Sequence, residues 1–210
     1  MIQVIIADDH PIVRAGLKQI IMEEADISVA AEAANGIDLL TQVRARDFDV
    51  ILLDLTMPGM DGLDVLKQLK IEKPQIPVVI LTIHPESQYA LRILKAGAAG
   101  YLTKASADEE LIRAIRKVYN GGKYISSTLA EKIAFALSED PGELPHEGLS
   151  DREYQVLCLI GGGKTVSQIA DDLALSVKTV STYRARILEK MHLKNNAELI
   201  HYAVQNGLVA

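Results

Sequence analysis

Five positions carry chemistry that their neighbours do not explain. Asp8 and Asp9 follow the apolar run Ile2–Ala7, Asp54 ends VILLD, Thr82 ends VVILT, and Lys104 follows AGAAGYLT. Each polar group sits at the end of a run of β-branched and leucyl residues, where burying a charge is costly without a partner. Taken alone, Asp54 reads equally well as a turn residue ahead of Thr56-Met57-Pro58-Gly59, because Asp favours turn starts. Taken together, three carboxylates, a hydroxyl and an ammonium form a reactive set. Crowded carboxylates repel unless cations join them. Mg²⁺ suits oxygen donors, and no His/Cys cluster of zinc type is evident. With Mg²⁺ and Lys104 the set is neutralised, and a carboxylate oxygen can accept a phosphoryl group. Asp54, at the centre, is the best-placed nucleophile.

These residues need elements that bring them to one edge. Strand-like runs occur at Ile2–Ala7, Ile27–Ala31, Val50–Leu53, Pro77–Leu81 and Ala99–Leu102. Helical patterns occur at Pro11–Glu24, Gly36–Arg46, Leu63–Glu72, Ser87–Ala96 and Ala107–Tyr119. Pro11 suits a first turn, Ser106–Glu109 reads as a capping box, and Asn120-Gly121 as a stop. Five βα units imply an α/β doubly wound (flavodoxin-like) parallel sheet of strand order 2-1-3-4-5, with ligands beyond the carboxyl ends of its strands. That edge is where the five polar positions fall.

Past Gly122 the pattern changes. Residues 123–148 read as a linker holding a short helix, Thr128–Leu137, and the acidic stretch SEDPGELPHEG. Residues 149–210 show only helical signals: capping boxes at Ser150–Glu153 and Thr165–Gln168, a Ser176 cap before a helix to about Met191, and a last helix from Asn196 to Asn206. The expected result is a small all-α domain. Although the chain has a net charge of −6, Lys178–Lys194 holds five bases and one acid.

The stretch 166–185 has the pattern of a helix-turn-helix. Ile169, Leu173, Leu175 and Val180 supply the clasp, and Ala170 the close approach. On the second helix, Val180, Ile187, Leu188 and Met191 form an inward stripe. The other side has short polar groups suited to base edges, Lys178, Ser181 and Thr182, with Ala185 for a thymine methyl. Thr179, Arg184, Arg186 and Lys190 suit phosphates, Arg184 only by snorkelling outward. A four-helix docking module with a solvated basic face has the same spacing. A phosphate-binding loop at Gly163–Thr165 fails, since its earlier glycine would fall on Cys158.

The motifs DDH, LLDLTMPGMDG, VVILT and AGAAGYLTK, in this order over residues 1–122, resemble the receiver domain of two-component response regulators. LSDREYQVL, the stretch 166–185 and ILEKMHLKNNAELIHYAVQNGLV resemble the LuxR-type DNA-binding domain, and the pair resembles the NarL/FixJ class. The resemblance implies phosphorylation of Asp54 by a histidine kinase, with Mg²⁺ held by Asp8, Asp9, Asp54 and the Thr56 carbonyl. It implies Thr82 and Lys104 as phosphoryl contacts and Tyr101 as a switch aromatic. It further implies double-stranded DNA as a partner and a homodimer promoted by phosphorylation, paired partly through the last helix. His84, two residues after Thr82, would then stand close enough to influence aspartyl-phosphate hydrolysis.

Composition bounds the rest. At 49% hydrophobic and 24% charged, the 210 residues suffice for two packed domains. No apolar run approaches the ~20 residues of a membrane span. MIQVIIADDH lacks a basic region, and the single cysteine, Cys158, permits no internal disulfide, so a cytoplasmic location is expected. A Mg²⁺-dependent phosphatase would need a second acid beside the nucleophile, where Thr56 stands. A regulator rather than an enzyme is expected, with a bare adaptor the remaining alternative.

Overall fold

The computed structural model describes residues 1–83, 86–126, 129–131, 144–173 and 175–209, the side chains of 86–89 excepted. They fall into two compact units, Met1–Ala130 and Glu131–Ala210. Of the expected helix Thr128–Leu137, Leu129–Glu131 is helical, and the rest lies outside the described residues, as do His84 and most of the acidic stretch.

In the first unit, runs rich in Val, Ile and Leu form strands that a parallel sheet can bury on both faces, while an edge strand carries Glu32 exposed in its interior. They are β1 (Ile2–Ala7), β2 (Ile27–Ala33), β3 (Val50–Asp54), β4 (Val78–Thr82) and β5 (Gly100–Thr103). All pairings are parallel and the order is β2-β1-β3-β4-β5, as expected. The intervening helices are α1 (Pro11–Met22), α2 (Gly36–Ala45), α3 (Gly62–Glu72), α4 (Glu86–Lys95) and α5 (Ala107–Tyr119). Val4, Ile6, Val50, Leu52, Val79 and Leu81 share one core with Leu17 and Ile21 of α1 and Leu111, Ala114, Ile115 and Val118 of α5. Strand alternation leaves the equally buried Ile5, Ile51, Leu53 and Ile80 for the opposite face.

Boundaries move where backbone donors decide them. Pro77 has no N–H and stays outside β4, giving only its carbonyl to Ile51 N–H at 3.0 Å. The Ser106 capping box does not form. A 3-10 turn, Lys104–Ser106, precedes α5, so Ser106 has φ −102° and ψ 3° instead of an extended cap geometry. Its hydroxyl turns back to Thr103, 3.2 Å from the carbonyl oxygen and 3.0 Å from Oγ1.

The second unit contains α6 (Asp151–Gly161), α7 (Val166–Asp172), α8 (Val177–Lys190) and α9 (Asn196–Gln205). Both expected capping boxes are complete, Ser150 with Glu153 and Thr165 with Gln168. Ser176 and Asn195 cap the last two helices by accepting from the N–H groups of Thr179 and Glu198. Ile169, Ala170, Val180, Ile187 and Leu199 are fully or almost fully buried between them. No helix of the described residues is long and apolar enough to cross a membrane.

Gly62, at the first turn of α3, holds the end of β3 in place. Its N–H donates to Leu55 O at 3.0 Å, and a Cβ there would lie 2.5 Å from both Asp54 O and Leu55 Cα. Those neighbours are backbone and cannot rotate away. Gly62→Ala should therefore lower stability in urea unfolding by about 1–3 kcal/mol. Gly16→Ala, on exposed α1 with nothing near the added carbon, should raise it by roughly 0.5–1 kcal/mol. Equal effects at the two sites would show that the close approach is not limiting.

Candidate functional site

The carboxyl edge of the sheet collects the expected polar groups. Asp8 follows β1, Asp54 closes β3, Thr82 closes β4 and Lys104 follows β5. Register places Ala7 beside Leu53, Asp54 beside Leu81, and Thr82 beside Thr103, so the strands end nearly level. Asp8 and Thr82 are fully buried and Asp54 is 2% exposed. Lys104 Nζ lies 2.7 Å from Asp8 Oδ2 and 2.8 Å from Asp54 Oδ2, bridging the two carboxylates. The Thr56 N–H donates to Asp54 Oδ1 at 3.2 Å, so Asp54 also makes the turn contact that its sequence context suggests. Tyr101, on the strand next to Thr82, is 2% exposed. Ile83 is 73% exposed.

Burial dominates the electrostatics of Asp54. It pushes the carboxyl up to about 6, although the hydrogen bond and charge of Lys104 pull the other way. Asp8 adds to the upward push by like-charge repulsion. For Lys104, burial works against the ammonium, but its bonds to Asp54 and Asp8 outweigh this and hold it above the ordinary lysine value. One ammonium faces three carboxylates, so the pocket retains negative charge.

The donor set fits a divalent cation. Asp8, Asp9, His10 and Asp54 each offer one ligand atom, all within 4.8 Å of one another. Asp9 Oδ1 and Thr56 Oγ1 are buried and lack a well-directed hydrogen bond, Asp9 Oδ1 lying in ion-pair range of His10, while Asp8 Oδ2 has the Lys104 ammonium at 2.7 Å. Such orphaned oxygens are expensive unless something completes them. His10 was not foreseen here. The sequence signal was its place beside two aspartates, which a search for paired His or Cys ligands passes over.

In the second unit, α8 presents Lys178, Ser181, Thr182, Ala185, Arg186 and Glu189 to solvent, with Thr179 half-buried. The Thr182 hydroxyl donates to Lys178 O at 2.9 Å, leaving its lone pairs outward, and Thr179 Oγ1 lies 2.8 Å from Ser176 Oγ. Two expected phosphate contacts are committed within the unit. Arg184 Nε donates to Asn196 Oδ1, at the start of α9. Lys190 Nζ donates to Oε2 of buried Glu153 at 2.6 Å. The capping box revealed Glu153, but not its partner 37 residues on.

A parallel βα sheet with an acidic carboxyl edge, followed by a helix-turn-helix with an exposed polar face, defines a response regulator with a LuxR-type DNA-binding domain. Comparison with known proteins agrees: residues 4–116 match the response regulator receiver domain and residues 147–203 the luxR family of bacterial regulatory proteins. The chain is 39% identical to the response regulator UvrY of Escherichia coli O6:H1 over 209 residues, 99% of this chain and 96% of that one. It is 39% identical to the response regulator GacA of Pseudomonas aeruginosa, covering all of this chain and 98% of the other. RcsB from Salmonella enterica serovar Typhimurium, solved bound to promoter rprA with the phosphomimetic BeF3-, superposes with a TM-score of 0.65 at 27% identity, over 96% of this chain and 97% of that one. The chain belongs to the NarL/FixJ class of two-component response regulators, a family of transcription regulators.

The raised Asp54 value has a definite consequence for stability. A carboxyl that titrates near 6 when folded, against 3.8 ordinarily, holds its proton more tightly in the folded state, so stability falls as pH rises between those values. In metal-free protein, wild type should lose about 2 kcal/mol more than Asp54→Asn between roughly pH 4.5 and 7.5, read from urea midpoints. Parallel profiles would mean that Lys104 fully offsets burial.

Proposed function

We propose that this protein is a transcriptional regulator switched by phosphorylation of Asp54, with a histidine kinase as donor. The transfer breaks the N–P bond of the kinase phosphohistidine and forms an O–P bond to Asp54. The observation that carries this reading is Asp54 itself: buried, central, and paired with Lys104 at the edge where a parallel sheet binds ligands. Asp8, Asp9, Asp54 and the Thr56 carbonyl would hold Mg²⁺, which supplies charge neutralisation for the transferring oxygens. Lys104 and Thr82 are the phosphoryl contacts, and Tyr101 is the aromatic that responds to Thr82. RcsB was solved on its promoter with a phosphomimetic, which supports the same pairing of pocket and DNA-binding here.

For double-stranded DNA, Lys178, Ser181, Thr182 and Ala185 face base edges, while Thr179 and Arg186 face phosphates. Arg184 and Lys190 reach phosphate only with the groups that Asn196 and Glu153 leave free. A homodimer promoted by phosphorylation would place two such helices on successive half-sites. We assign residues 1–122 to the receiver, 123–148 to a linker and 149–210 to the DNA-binding domain, and place the protein in the cytoplasm.

Two experiments test the two halves. Incubation with a small phosphodonor and Mg²⁺ should add one phosphoryl group to wild type and none to Asp54→Asn, as read by intact-mass spectrometry. Undiminished labelling of the variant would move the acceptor elsewhere. On a DNA site selected from random sequence, Lys178→Ala should lose about 1–3 kcal/mol of discrimination between bases, and Arg186→Ala should weaken all sequences together and flatten the salt dependence. Unchanged binding by both variants would remove α8 from the groove.

A further inference from the structure

His10 is out of place as a helix cap. It occupies the N-cap of α1, with φ −90° and ψ 110°, and its side chain makes no capping bond. Asn, Asp, Ser or Thr would accept from the helix N–H groups there. The ring turns instead toward the acidic pocket, with Nδ1 2.8 Å from Asp9 Oδ1 and 3.3 Å from Asp8 Oδ1. Those distances bracket the roughly 3.0 Å that separates neighbouring ligands of an octahedral ion with 2.1 Å bonds. The whole set of donors, within 4.8 Å, is close to the roughly 4.2 Å span of opposite ligands in such a shell. Lys104 takes Asp8 Oδ2 and Asp54 Oδ2, which leaves four carboxylate oxygens: Asp8 Oδ1 and Asp54 Oδ1, which accept one backbone N–H each from His10 and Thr56, and the two of Asp9, of which Oδ1 is buried. The His10 side chain is 63% exposed, and the carboxylates themselves set its orientation, the His10 N–H also donating to Asp8 Oδ1 at 2.8 Å.

We propose that His10 is a nitrogen ligand that favours divalent transition ions able to accept imidazole, Mn²⁺ among them, over Mg²⁺ at a pocket of three carboxylates and one imidazole. Mg²⁺ prefers oxygen and water and makes no use of the ring, whereas Co²⁺ and Zn²⁺ favour imidazole and Mn²⁺, although oxygen-preferring, accepts it. His10 therefore sets which ion wins rather than whether an ion binds. The inference rests on the pocket holding a divalent cation, as proposed above.

Mn²⁺ serves as the probe, with the full-length chain and with His10→Ala and His10→Gln. In wild type, pulsed electron paramagnetic resonance of bound Mn²⁺ should show coupling to a directly bonded nitrogen, absent in both variants. Calorimetric titration should show Mn²⁺ affinity reduced about tenfold in both variants and Mg²⁺ affinity changed less than twofold. If His10 only orients Asp9 by hydrogen bonding, no bonded nitrogen appears, Mg²⁺ and Mn²⁺ weaken together in His10→Ala, and His10→Gln restores both. That result overturns the proposal while leaving the cation site intact. Failure of wild type to bind either ion would instead overturn the cation site and this proposal with it.

Discussion

The position of one ammonium governs the first unit. Lys104 stands between Asp8 and Asp54, 2.7 and 2.8 Å from their oxygens. Both acids are almost wholly shielded from water. Two ionised carboxylates that close and that buried would repel strongly, and removal of one partner of a buried pair leaves an uncompensated charge. Lys104 makes the arrangement tolerable without making it neutral, since one ammonium faces two carboxylates and Asp9 adds a third. The pocket is thus held together and still attractive to a cation. The sheet enforces this placement: its central strands β3 and β4 are buried along their whole length, and charge is costly in their interiors. Acid and lysine are accommodated where those strands and their neighbours stop.

The second unit uses ion pairing differently, to fix a helix rather than to prepare a site. Glu153 closes the capping box of α6, accepting from Ser150 N–H at 2.8 Å, and its same oxygen receives Lys190 from the last turn of α8. Burial alone would raise the Glu153 carboxyl, but Lys190 and Ser150 outweigh it and hold it below the usual range. Arg184 ties the middle of α8 to the start of α9. The carboxyl half of α8 is therefore anchored by these pairs, while in its amino half Val180 is buried and Lys178, Ser181 and Thr182 face solvent. A helix that reads a groove needs this division, because contacts to bases are worth little if the helix that carries them is loosely held.

Periodicity made the strand order, and the positions of Asp8, Asp54, Thr82 and Lys104 at one edge, legible in the sequence. Runs such as VILLD and VVILT admit only buried parallel strands, and parallel strands put their ends together. What escaped were bonds whose partner is chosen by the fold. Lys190 reads as one more base on a polar face until Glu153 is found beneath it. Ser106 reads as a cap until a 3-10 turn alters its backbone and redirects its hydroxyl to Thr103. His10 reads as the tail of a motif until its ring is seen beside two carboxylates. In each case the local pattern was sound, and a tertiary contact or a dihedral angle overrode it.

The same register bears on how a phosphoryl group at Asp54 would be felt. Ile80 pairs with Tyr101 and Thr82 with Thr103, so Thr82 and Tyr101 lie on one face of adjacent strands, two residues apart. A phosphoryl group adds about one to one and a half negative charges to the carboxylate it esterifies. Lys104 is already within reach, and the Thr82 hydroxyl is the next donor along the edge. Two or three charge-assisted bonds at roughly 1.5–3 kcal/mol each are comparable with the ~5.5 kcal/mol that inverts a 1:99 equilibrium. Under the function proposed above, a shift of Thr82 toward Asp54 would be felt on the face it shares with Tyr101, whose ring is 2% exposed. The bond made at the pocket and the setting of the ring would then be two expressions of one displacement.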